Sequence, residues 1–248
     1  MIEKLTTPIW MKDNPYILNG YRIPGSYRGF YRELFAWHNE TLNAWSMIAY
    51  GGTALYVWFM YASATLPFFT LLMSALICLP TSVTYHLKCN ESMDIRLQSR
   101  HLDVTFIGVA SVFIAFSLSA YVFPIAVTLF LTGSCMYKTI QFYKNKHETR
   151  KDKTLQAVVT FASFYMTPVI IMAIVDPASN LKYFIGLAGS LSIGACCYAF
   201  YIPERFLPIG LTDYIGNSHQ FMHICLILAH LSGFKFMQHH IKNASHLN

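Results

Sequence analysis

Residues 67–87 read PFFTLLMSALICLPTSVTYHL, an apolar run without Asp, Glu, Lys or Arg that carries Ser82 and His86 near its end. As a helix rising 1.5 Å per residue it is about 30 Å long, the thickness of a bilayer's hydrocarbon core. The run therefore predicts a membrane span from Pro67 to Leu87. Pro80 removes a backbone donor inside it and predicts a kink, as Pro168 does further along. Ser82 and His86, four residues apart, share one face of the last turns.

Six more blocks of similar length surround this one: Leu42–Leu66, Asp103–Phe123, Pro124–Tyr143, Leu155–Val175, Leu181–Tyr201 and Asn217–Gln238. The whole chain of 248 residues is 54% hydrophobic and only 12% charged, about half the charge of a soluble domain, with a mean hydropathy of +0.39. A soluble globular fold is excluded. The predicted fold class is all-α, a polytopic membrane protein with seven transmembrane helices. Short turns holding Pro67, Pro124 and Pro177 join spans one and two, three and four, and five and six, giving three hairpins and a final helix. The expected division is a segment 1–41 on the cytoplasmic side, a seven-helix domain 42–238 and a short tail 239–248 on the outer or lumenal side.

Charge orients the chain. Of 18 Lys and Arg, 15 fall on the side of the N-terminus, leaving Lys182, Lys235 and Lys242 for the other. Positive charge favours the cytoplasm, so the N-terminus is expected inside and the C-terminus outside. The net charge of +6 is accounted for by this asymmetry and by contact with anionic lipid, so nucleic acid is not an expected partner. Met1–Trp10 lacks a basic patch followed by an apolar run, so the first span is expected to direct insertion. Tyr27, Phe30, Tyr31, Leu34 and Phe35 recur at helical spacing, which suits either an amphipathic helix on the leaflet or a cap packed under the bundle. The six cysteines, mostly within apolar blocks, show no metal spacing and are expected as free thiols. Asn39 and Asn90 head glycosylation sequons on the expected cytoplasmic side, where they should carry no sugar.

Ionisable groups inside a bilayer are costly and therefore informative. Alternate crossing brings His86 and Ser82 at the end of span two to the same layer as Asp103 at the start of span three and Ser218, His219 and His223 at the start of span seven. His219 and His223, at i and i+4, project from one helix face about 6 Å apart, a spacing that lets two imidazoles hold one metal. The zinc-protease helix shares that spacing with Glu after the first His, where this chain has Gln220, so a general base must come from elsewhere. With His86 added, three neutral nitrogen donors suit tetrahedral Zn2+ with water in the fourth place. Asp103 is then placed to hold or deprotonate that water, and Ser82 to donate to an oxyanion or orient a ligand. The bland alternative is that each His is an interfacial or inter-helix hydrogen-bonding group. Glu40 and Asn43 either brace the site or simply cap the first span; His230 is expected to be packed between helices, and His239, His240 and His246 to lie in a solvated tail.

At these residues the sequence resembles the progestin and adipoQ receptor family, which includes adiponectin receptors and bacterial haemolysin III proteins. The resemblance spans nearly the whole chain. It rests on Asn39-Glu40-Thr41-Leu42-Asn43 with Trp45, on Ser82 and His86, on Leu102-Asp103, and on YIPERFLPIGLTDYIGNSHQFMH from Tyr201 to His223. It implies seven helices, an inside N-terminus, and zinc near the cytoplasmic side on His86, His219 and His223, with Asp103 acting on the bound water and Ser82 nearby. Adiponectin receptors are associated with ceramide hydrolysis, and the fold resembles that of alkaline ceramidases. Met47 replaces a His common in the family, and Ile209 is inserted in the loop before the last span. The leading expectation is a zinc-dependent intramembrane hydrolase of ceramide-like lipid amides, with membrane lipids as partners, in the Golgi, endoplasmic reticulum or plasma membrane. The alternative is a receptor or scaffold with structural zinc whose cytoplasmic segment recruits protein partners.

Overall fold

The computed structural model describes residues 7–61, 65–145 and 151–245, and among these residues it holds eight α-helices and no β-strand. A short α1 (Phe30–Phe35) precedes seven long helices of 20–28 residues: α2 (Thr41–Tyr61), α3 (Leu66–Lys88), α4 (Met93–Ser119), α5 (Ile125–Lys144), α6 (Lys151–Val175), α7 (Pro177–Phe200) and α8 (Ser218–Ser245). Five of these, α3, α4, α6, α7 and α8, are long and apolar enough to cross a membrane. Helices α2 and α5 are of similar length, at 21 and 20 residues.

Several ends differ from expectation for identifiable reasons. Asp103 does not open its helix. Ser92 caps α4 eleven residues earlier by accepting the Ile95 N–H at 3.2 Å, and Asp94 follows in the first turn, so Asp103 sits in the third. Asp176 caps α7 through Ser179 N–H at 3.3 Å, which places Pro177 inside the helix rather than in the turn. At the other end α8 continues to Ser245 and absorbs most of the expected tail. His240 is accordingly not solvated: it is buried, and its Nε2 pairs with Asn180 Oδ1 of α7 at 3.0 Å. His246 lies outside the described residues.

The interior holds several apolar zones. Ala44, Met47, Ala75 and Leu87 knit α2 to α3 near the end that carries His86, while Phe68, Leu118, Val169 and Phe236 fill the opposite end. Gly186 and Gly194 let α7 lie hard against α8, since a Cβ on either would stand 2.6 Å from Ser232 Oγ or 2.9 Å from Cys225 Cβ. All six cysteines are free.

The segment before α2 folds back across the His86 end and is held there by charge-assisted hydrogen bonds. Arg22 donates to Leu87 O (2.6 Å), His86 O (2.7 Å) and Glu33 (2.9 Å). From the loop between α7 and α8, Asp213 accepts from Leu18 N–H (2.7 Å), Asn19 N–H (2.9 Å) and Asn19 Nδ2 (2.8 Å). Buried Glu204 grips Asn14 Nδ2 (2.5 Å) and caps α8 through Ser218 N–H (2.8 Å). Helix α1 is thus part of a cap, with Glu33 and Leu34 buried beneath it, and it leaves Tyr31 (76% exposed) and Phe35 (72% exposed) on its outer surface.

Candidate metal centre

His86 comes from the last turn of α3, and His219 and His223 from the first two turns of α8. Their ring centroids are 5.0 Å (His86–His219), 5.5 Å (His86–His223) and 4.7 Å (His219–His223) apart, with planes near perpendicular. One nitrogen of each ring lies within 4.8 Å of the others, so the three form a possible metal-binding group.

Hydrogen bonds select which nitrogen each ring offers. Glu40 accepts from His86 Nδ1 at 2.8 Å, which leaves Nε2 with its lone pair. That Nε2 is fully buried and has no hydrogen-bond partner among the described residues. An unmatched buried acceptor costs about 1–3 kcal/mol, and a cation at the cluster would satisfy it. Ser46 Oγ donates to Asn43 O (2.9 Å) and so is left to accept from His223 Nδ1 (2.7 Å), again freeing Nε2. Metal-ligating imidazoles are oriented by partners of this kind. The donor set, neutral imidazoles with their far nitrogens tied, fits a divalent ion of the zinc type.

Glu40 and Asn43 therefore brace the site instead of forming a simple cap, for Asn43 Nδ2 also donates to the same Glu40 oxygen at 2.7 Å. Burial alone would raise the Glu40 carboxyl, but the hydrogen bond from His86, the electrostatic influence of His86 and His219, and the Asn43 bond outweigh it and hold the group below the usual carboxylate range. Two residues earlier, buried His38 is fixed as a neutral tautomer. Its Nδ1 accepts Glu40 N–H at 3.1 Å, so its Nε2–H donates to Glu33 O at 3.1 Å. Burial, assisted by the Arg22 charge, pushes His38 down to about 4.

Asp103 stands outside the group of three imidazoles, beside Ser82 and within electrostatic range of His86. Ser82 is buried one turn before His86 on α3. His230 pairs through Nδ1 with Tyr50 OH at 3.1 Å, a contact between α8 and α2 of the kind expected. Met47, where the resemblance leads to a His, is buried in the apolar zone between α2 and α3. A cavity of about 170 Å³ opens next to the cluster, with His86, His219, Glu40, Asp13, Arg100 and Tyr201 among its walls. Ser46 and this polar chamber were not foreseen. A serine in the first span carries no spacing signal, and the chamber is built by a loop docking from far away in the chain.

A helical membrane bundle with a three-histidine cluster at one end narrows the class, and the kinship of the sequence completes it. The chain belongs to the haemolysin-III related family, which matches residues 35–234. It is similar to a protein of Schizosaccharomyces pombe (30% identity over 92% of this chain and 58% of that protein). It is also similar to heptahelical transmembrane protein 1 of Arabidopsis thaliana (28% identity; 91% and 76%) and to membrane progestin receptor gamma of Mus musculus (28%; 86% and 73%). The chain thus spans a little over half the length of the fission-yeast relative. Apolar helices and family together make it a multi-pass integral membrane protein. The resemblance to the progestin and adipoQ receptor family is borne out.

Proposed function

We propose that this chain is a zinc-dependent hydrolase of lipid amides of the ceramide class, with His86, His219 and His223 as the residues that hold the ion. The observation that carries this reading is the buried, unpartnered His86 Nε2 within a trio of imidazoles whose orientation Glu40 and Ser46 fix. When bound at such a site, zinc supplies a Lewis acid and brings the pKa of a water molecule towards neutrality. The chain's own groups do the rest. Asp103, outside the trio, suits a base that takes a proton from the attacking water rather than a ligand. Ser82, beside it, suits a donor to the oxygen that gains charge at the amide carbonyl.

In this reading all seven long helices span the membrane, with segment 1–41 and the His86 end in the cytoplasm and the end of α8 outside. The distribution of Lys and Arg supports that orientation. The lipid amide enters at the interface with its chains among the helices. Purified protein assayed for fatty-acid release from ceramide tests the proposal. Release that is lost in Asp103→Ala while zinc is retained supports it. No release from any ceramide favours a receptor or scaffold in which the metal clamps α3 to α8 and the docked N-terminal segment meets protein partners.

A further inference from the structure

The chamber in front of His86 and His219 has a different chemistry on its far wall. Arg96 and Arg100, one turn apart on α4, both face Asp13 of the N-terminal segment. Arg96 is tightly held: it donates to the Asp13 carboxylate and to Cys89 O at 3.1 Å, and it lies over the Tyr85 ring. Arg100 is not. Its side chain is only 15% exposed, yet its one ion-pair contact among the described residues is 4.0 Å from the same Asp13 oxygen, and it makes no hydrogen bond among them. A guanidinium offers five N–H donors in a fixed fork, so most of the capacity of Arg100 is unused.

Within ion-pair distance the two guanidinium groups share one carboxylate, since the other acid of the chamber, Glu40, directs its bonded oxygen to His86 and Asn43. The third nearby cation, Arg22, is spent on Glu33 and on the carbonyls that end α3. Asp13 is the replaceable member, with its side chain 49% exposed on a loop, whereas both arginines are anchored on a long helix. A dianion would neutralise the pair better than a single carboxylate does. A phosphate group carries about −1.5 to −2 at neutral pH and presents oxygens that match guanidinium forks. At about 170 Å³ the chamber has room for on the order of ten waters, ample for such a group.

We propose that Arg96 and Arg100 form a phosphate-binding subsite beside the imidazole cluster, and that the Asp13 carboxylate occupies it in the resting chain. The phosphate is that of a lipid headgroup or of the free ion. The subsite requires neither a metal nor hydrolysis, so it stands or falls apart from the function proposed above. A lipid bound there would displace Asp13 and loosen the N-terminal cap over the chamber.

Calorimetric titration of the full chain in detergent tests this, using inorganic phosphate in one arm and short-chain phosphatidic acid in the other, before and after chelation of metal. Asp13→Asn removes the internal competitor and should tighten binding about fivefold, the scale of one half-exposed ion pair. Arg100→Gln should abolish saturable binding, and Arg100→Lys, which keeps the charge without the fork, should restore part of it. That partial rescue separates loss of a contact from loss of fold. Tighter binding of phosphatidic acid than of inorganic phosphate identifies a lipid as the source, and equal binding identifies the free ion. Unchanged affinity in Asp13→Asn, wild-type affinity in Arg100→Gln, binding that vanishes on chelation, or no saturable binding in any form would each overturn the proposal.

Discussion

Removing the Glu40 carboxylate should weaken metal binding without touching a ligand. One oxygen of Glu40 accepts both His86 Nδ1 at 2.8 Å and Asn43 Nδ2 at 2.7 Å, and the first of these bonds fixes the ring so that Nε2 faces the other imidazoles. In Glu40→Ala the buried Nδ1–H loses its acceptor, and the imidazole gains a second tautomer and orientation. Loss of an orienting partner of this type costs about 10- to 100-fold in metal affinity, or ~1.4–2.7 kcal/mol. Glu40→Gln keeps an oxygen in place but loses the charge, so it belongs near tenfold. Ser46→Ala, which removes only a neutral acceptor from His223, belongs at or below that. Competition for zinc against a chromophoric chelator, on protein whose thermal unfolding matches wild type, gives the affinities. A Glu40→Ala protein within twofold of wild type would refute the claim that this carboxylate sets the geometry of His86.

Three further outcomes concern the cap. His38 is held neutral and its folded pKa lies near 4 against 6.5 unfolded, so between those values the unfolded chain binds the extra proton and stability falls as pH falls, by up to about 3 kcal/mol. Imidazole NMR should show His38 still neutral at pH 5, and titration of that ring near pH 6.5 in the folded protein would contradict this. Gly20 has φ +81°, and a Cβ there would lie 2.8 Å from the Tyr214 ring and 3.0 Å from Asn39 N, so Gly20→Ala should loosen the N-terminal segment by at least about 1–2 kcal/mol. Faster proteolysis before α1 is the expected readout, and an unchanged rate counts against the close packing. Asp213→Ala removes three hydrogen bonds to a charged acceptor and should release residues 18–19 at a cost of about 3 kcal/mol, seen as faster amide exchange there, whereas wild-type exchange would show that the docking lies elsewhere.

Much of the centre was legible in the sequence because a membrane restricts topology. Once residues 67–87 are read as a span, alternate crossing brings His86 to the layer of His219 and His223, and the i, i+4 spacing sets the latter two on one face; the structure gathers all three. The start of α4 was misplaced because hydropathy marks where a helix becomes apolar, not where it begins, and Ser92 caps it eleven residues before Asp103. The end of α8 was misplaced for the same reason, since His239 and His240 are polar but still packed along the helix against α7. Ser46, Asp13 and Arg100 were not legible. Their roles depend on contacts with residues far off in sequence, and no local period announces how a polar loop docks.

The account turns on one ion per chain held by three imidazoles. Elemental analysis of purified wild-type protein beside His219→Ala, after exhaustive dialysis, measures this directly. One equivalent of zinc in the wild type and a small fraction of that in the variant is the predicted result. A metal-free wild type, or a His219→Ala protein that keeps its full equivalent, would contradict it.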